Sequence, residues 1–179
     1  DLIVQAGSAE INGSYSLADQ LSVIAQSDIT STTVSINANN LNLKADNITL
    51  DNLEVSAGSS YLNADKNISL TGTGSAPVIS GDHLSVNAGT DITLTGSYLL
   101  ADDMSVTAGH DLDVDNIVAS SVNILLQGNS ISAHGVTLEV NEAQLNSNNE
   151  LSLDGDISGN NLTVTADQAE ISGSFDLSS

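Results

Sequence analysis

Residues 84–103, LSVNAGTDITLTGSYLLADD, are followed at once by residues 104–121, MSVTAGHDLDVDNIVASS, and the two segments can be laid over each other with few gaps. Each opens on a first apolar alternation, Leu84-x-Val86 or Met104-x-Val106. Each then passes through Ala-Gly to an acid, continues with a second alternation, Ile92-x-Leu94 or Leu112-x-Val114, and closes on a turn and a further apolar segment. Period-two alternation over three to five residues marks a short strand with one buried face. No part of the chain sustains the 3.6-residue period of a helix.

The same unit extends in both directions. Taking the first apolar residue after the polar pre-strand position as an anchor gives Ile11, Ile29, Ile48, Ile68, Ile92, Leu112, Ile131, Leu151 and Ile171, spaced by 18 to 24 residues. With Leu94 and Val114 these form the expected core. Four places after the anchor stand Asn52, Gly72, Gly96, Asn116, Gly135 and Gly155, residues that tolerate a positive φ, which marks a corner. Alanines recur four places before it, at Ala25, Ala64, Ala88 and Ala108, where a bulky side chain would crowd a second bend. Three short strands and three bends in about 20 residues describe one coil of a parallel β-helix, an all-β solenoid. A three-residue strand is unstable in isolation, but stacked on copies above and below it satisfies its backbone and buries its inward side chain. The expected architecture is a single segment over residues 1–179 of about nine coils, belonging to a longer chain, with an enlarged corner loop at 71–83 around Pro77. The first-strand register is open near 53–62 and 138–146.

Composition agrees with such a rod. Ser, Thr and Asn make up about a third of the chain, yet Leu, Ile, Val and Phe exceed a quarter, enough to build a core. With three Tyr, one Phe and no Trp, that core must be aliphatic. A net charge of −21, two lysines and no arginine exclude a phosphate-binding stripe and attraction to anionic lipid, so neither nucleic acid nor membrane insertion is expected.

The run over residues 88–114, AGTDITLTGSYLLADDMSVTAGHDLDV, resembles the filamentous haemagglutinin repeat of bacterial two-partner-secreted exoproteins, with shorter echoes at ADNITL and ADKNISLTG. The resemblance implies a right-handed β-helix forming the stalk of a long surface exoprotein, an adhesin or a contact-dependent growth inhibition protein; the high acid content of this chain departs from the family pattern. It further implies export through an outer-membrane secretion partner, display at the bacterial cell surface, and flanking β-helical coils of the same chain. The expected role is structural, presenting adhesive or toxic regions located elsewhere. The alternative is an adhesive module that itself binds a receptor or glycan on a target cell, or self-associates laterally.

Sites are sparse in this reading. His83, His110 and His134 lie at different offsets from their anchors, so stacking does not gather them into a metal site. Catalysis is not expected: lyase chemistry lacks cations, and hydrolase chemistry lacks the loops and aromatics that hold a sugar. No cofactor is expected. The one metal candidate is low-affinity Ca²⁺ on Asp111, Asp113 and Asp115, three alternate carboxylates on one strand face, although the EF-hand template fails at Asn116 and Val122. In the pre-anchor column, Asp91 is expected to stack on Asp111 and Glu150 on Glu170. Tyr15, Tyr61, Tyr98 and Phe175 fall at offsets of +4, −7, +6 and +4 from their anchors, the two equal ones eight coils apart, and make no continuous patch.

Overall fold

The structure is a computed structural model that describes residues 1–72 and 77–178. Among them every regular element is a strand, and fifteen strands join in one continuous sheet whose pairings are all parallel. Successive coils stack in register, so the chain is a β-solenoid of about nine turns. Early coils are cut into short strands such as Gln20–Ala25 and Asp28–Ser31. Later ones run almost unbroken round their bends, as in Ile92–Ala108, Asp111–Gly128 and Ser130–Ser147. At about 4.8 Å per coil the rod is roughly 40 Å long.

The anchor column appears directly in the pairing: Ile29 lies beside Ile48, Ile48 beside Ile68, Ile68 beside Ile92, then Leu112, Ile131 and Leu151. These residues are at most 2% exposed, as are Leu94 and Val114. Each fully buried aliphatic contributes about 1.5–3 kcal/mol, so the inward columns carry the stability. The two outermost coils depart from the sequence reading. Ala9, not Ile11, pairs with Ile29, and Ala169, not Ile171, pairs with Leu151, so both terminal anchors slip by two residues. Ile11 remains buried, whereas Ile171 is 45% exposed because its coil has a described neighbour on one side only. The slip also separates Glu150 from Glu170: Glu150 lies beside Gln168, and Glu170 beside Ser152.

With the anchors moved, the corner column gains Gly13 and Gly173, both at positive φ. Asn52, Gly96, Asn116 and Gly135 share that conformation; Gly72 and Gly155 do not. Gly155 is required for another reason, since a Cβ there would collide with the Val136 carbonyl of the coil below. Its column is one of close backbone approach as much as of left-handed turns. Of the corner expected at 71–83, residues 73–76 lie outside the described residues. Strand resumes at Ile79, so its later part is regular sheet.

The aromatic residues also fall into order. Tyr15, Ile36, Val55, Ile79, Tyr98, Ala119, Leu138, Ile157 and Phe175 form one inward column through the length of the rod. Tyr98 is 1% exposed and rests against Ala119, a large side chain beside a small one, while its neighbour Leu99 points out and is 53% exposed. Burial pushes the Tyr98 phenol up, and its hydroxyl donates to the Thr95 carbonyl at 3.4 Å. Both open registers are settled by the same pairing. Val55 belongs to this column and Leu62 to the next face, beside Leu43 and Val86; likewise Leu138 belongs here and Leu145 beside Leu126.

Candidate functional site

Because coils stack in register, an outward position repeats along the rod axis about every 4.8 Å, and equivalent polar side chains touch their copies. Such contacts join Asn123 to Asp103 and Thr71 to Asp51, and they run on from coil to coil in the column before the anchor. It contains Asp28, Asn47, Asn67, Asp91, Asp111, Ser130, Glu150 and Gln168. Asn47 Nδ2 donates to Asp28 Oδ1 at 2.8 Å, and Asn67 Nδ2 donates to Asn47 Oδ1 at 3.3 Å. The Asp91 amide then donates to Asn67 Oδ1 at 3.2 Å, and the Asp111 amide to Asp91 Oδ1 at 3.1 Å. The result is a hydrogen-bonded ladder across five coils. Its first rung holds the Asp28 carboxyl below its ordinary value, chiefly through the Asn47 amide and then through the Ser27 hydroxyl, which donates at 2.9 Å. Beside it, Lys66 Nζ donates to Asp46 Oδ2 at 2.8 Å, and that contact raises the lysine.

The ladder changes character at Asp91 and Asp111. Here two carboxylates occupy neighbouring rungs with no amide side chain between them, and His110 sits across the pair. Its Nδ1 is 3.6 Å from Asp91 Oδ1 and 3.2 Å from Asp111 Oδ2. His83 is placed similarly, 3.5 Å from Asp102 and 3.8 Å from Asp103, but reaches them with different ring nitrogens.

The expected calcium trio does not converge. Asp111, Asp113 and Asp115 occupy alternate outward positions of one strand, beside Ser130, Ser132 and His134 of the next coil. Alternate residues of a strand are about 6.6 Å apart with parallel side chains, too far to close on one ion. Among the described residues, the one group of three His, Cys, Asp or Glu side chains whose ligand atoms lie within 4.8 Å of one another is Asp91, His110 and Asp111. The three histidines stay apart, as their offsets require. What the sequence reading missed is a histidine meeting acids of two coils. The signal was present in the aligned pair AGTDI and AGHDL, where the residue before one aspartate reaches the aspartate twenty places earlier.

Elsewhere the surface is polar and shallow. An open concavity runs along Ser120, Glu139, Ser158 and Asp176, lined by hydroxyls and carboxylates with Val122 and Val140 among them. Tyr61, at 50% exposure, is separated from the exposed pair Leu99 and Val118, which lie diagonally on adjacent coils.

Residues 69–116, the stretch that holds the acid pair and its histidine, match the family model described as Hemagglutinin repeat. Neither the curated proteins nor the solved structures yield a match. In-register pairing carries the same coil from the matched stretch into both flanks, consistent with a filamentous haemagglutinin-type repeat region.

Proposed function

We propose that this segment is a stalk: a stiff spacer in a secreted or surface-displayed bacterial exoprotein that presents adhesive or toxic regions located elsewhere. The observation that carries the reading is the uninterrupted stack. Inward aliphatic columns persist from coil to coil, and outward positions are filled by Ser, Thr, Asn and acids. A binding module concentrates departures from its repeat in loops and exposed aromatic or arginine anchors. Here three of the four aromatics are committed to the inward column.

The hemagglutinin repeat supports a structural or adhesive role over an enzymatic one and a secreted or surface location; export through an outer-membrane partner is part of the same proposal. On this reading Ile171, Phe175 and Leu177 stack against a further coil of the same kind. Delivery of a growth-inhibiting toxin and presentation of an adhesin tip use such a stalk equally well. The test is binding of the purified chain to bacterial and animal cells and to a glycan array. The stalk reading expects no saturable binding, together with a scattering profile of an elongated particle; saturable binding to one cell type or glycan would overturn it. The second reading, an adhesive module, draws on the hydroxyl-lined concavity at Ser120 and Ser158, and glycan binding lost in Ser158→Trp would favour it.

A further inference from the structure

We propose that Asp91, His110 and Asp111 form a surface site for a divalent transition-metal ion, which ties two successive coils together from outside. The ladder supplies the reason to look here. At its earlier rungs an acceptor meets a side-chain amide; at Asp91 and Asp111 two acceptors face each other, and the third group present is an imidazole nitrogen. Neither lysine neutralises the pair, since Lys66 is engaged by Asp46 and Lys44 forms no ion pair with it.

The geometry fits a small ion. His110 Nδ1 stands 3.2 Å from one carboxylate oxygen and 3.6 Å from the other, and all three ligand atoms lie within 4.8 Å of one another. Ligands bound at about 2.0–2.1 Å around a tetrahedral ion are themselves roughly 3.3 Å apart. One nitrogen and two carboxylates match zinc, cobalt or nickel, whereas Ca²⁺ takes six to eight oxygens. Two carboxylates cancel the charge of the ion, and the half-exposed side chains leave its remaining positions to water.

The backbone holds the ligands independently of any ion. The His110 amide donates to the Thr90 carbonyl at 2.8 Å and the Gly109 amide to the Ala88 carbonyl at 2.9 Å. A Cβ on Gly109 would collide with the Gly89 carbonyl, so the two Ala-Gly steps stack at their closest approach. Asp91 Oδ1 is fixed in turn by the Asp111 amide.

The experiment is titration of the purified, metal-stripped chain with Co²⁺ and Zn²⁺, read by calorimetry and by the visible absorption of bound Co²⁺. The expected result is one saturable site, a Co²⁺ band displaced by Zn²⁺ but not by equal Ca²⁺ or Mg²⁺, and at least a tenfold loss of affinity in His110→Ala and in Asp91→Asn. Asp113→Asn and His83→Ala should titrate like the wild type. Circular dichroism of each variant checks that the coil is intact, which is expected for exposed positions. Absence of a saturable site, equal binding by His110→Ala, displacement by Ca²⁺, or loss in His83→Ala instead would each overturn the proposal.

Discussion

The anchor face of the second to fourth coils and that of the fifth and sixth have the same interior and different exteriors. Inward, Ile29, Ile48 and Ile68 continue into Ile92 and Leu112, and Leu50 and Leu70 into Leu94 and Val114, all at most 2% exposed. Outward, Asp28 is answered by Asn47 and Asn67, whereas Asp91 is answered by another aspartate and a histidine. A solenoid therefore separates two design problems that a globular domain mixes. Inward columns must repeat, or the coil does not stack. Outward columns are free to vary, but each choice is judged against its own copies a coil away.

If that separation is real, the two regions should respond alike to core damage. Leu50→Ala and Leu94→Ala, both at fully buried sites, should each cost about 2–5 kcal/mol, measured by denaturant unfolding. A large difference between them would mean that the outer column props up the inner one. The outer columns should then respond in opposite directions. Asn47→Asp replaces the donor facing Asp28 with a second carboxylate, and like charges one rung apart should lower Tm by about 2–4 °C, less in molar salt. Asp91→Asn makes the fifth coil resemble the earlier ones. In metal-free buffer it should raise Tm by about 1–3 °C, while Zn²⁺ should raise the Tm of the wild type alone.

The smallest effect concerns acid. Asp28 is held below its ordinary value by Asn47, so its contribution to stability is complete above the unfolded value of about 3.9 and is lost as pH falls through the folded one. An NMR titration of Asn47→Ala should show the Asp28 carboxyl returning toward that ordinary value. An unmoved titration would assign the effect to Ser27.

Much of the fold was legible because stacking forces a coil to repeat its inward residues at fixed spacing. The reading failed where a small residue took an anchor's place. Ala9 and Ala169 hold the anchor positions of the outermost coils, but Ile11 and Ile171, two residues later, carry the stronger apolar signal. That slip hid the aromatic column, since Tyr15, Tyr98 and Phe175 all stand six places after the true anchors. It also produced a false Glu150–Glu170 stack. In the doublet Leu99-Leu100, hydropathy points to Leu99 as the inward residue of the third strand, whereas the structure buries Tyr98 and Leu100 and leaves Leu99 53% exposed. The calcium trio was sought along one strand, where spacing keeps carboxylates apart. The group that converges, Asp91 with His110 and Asp111, is assembled across coils and includes a corner residue, so it becomes visible once register is known.

The pairing of Tyr98 with Ala119 has a consequence for how the rod finds its order. A column of interchangeable Leu, Ile and Val would let any coil seat on any other, and a chain that looped out one coil would lose little by closing over the gap. Tyr98 removes that indifference. With the sixth coil skipped, its ring would meet Leu138 in place of Ala119, adding bulk to a filled layer at a cost of about 1–3 kcal/mol. A smaller side chain in place of Tyr98, with Ala119 kept beside it, would leave a hole. The two residues fit each other as tooth and notch, so the middle of the rod carries its own index mark, and neighbouring coils can be counted by shape as well as joined by hydrogen bonds.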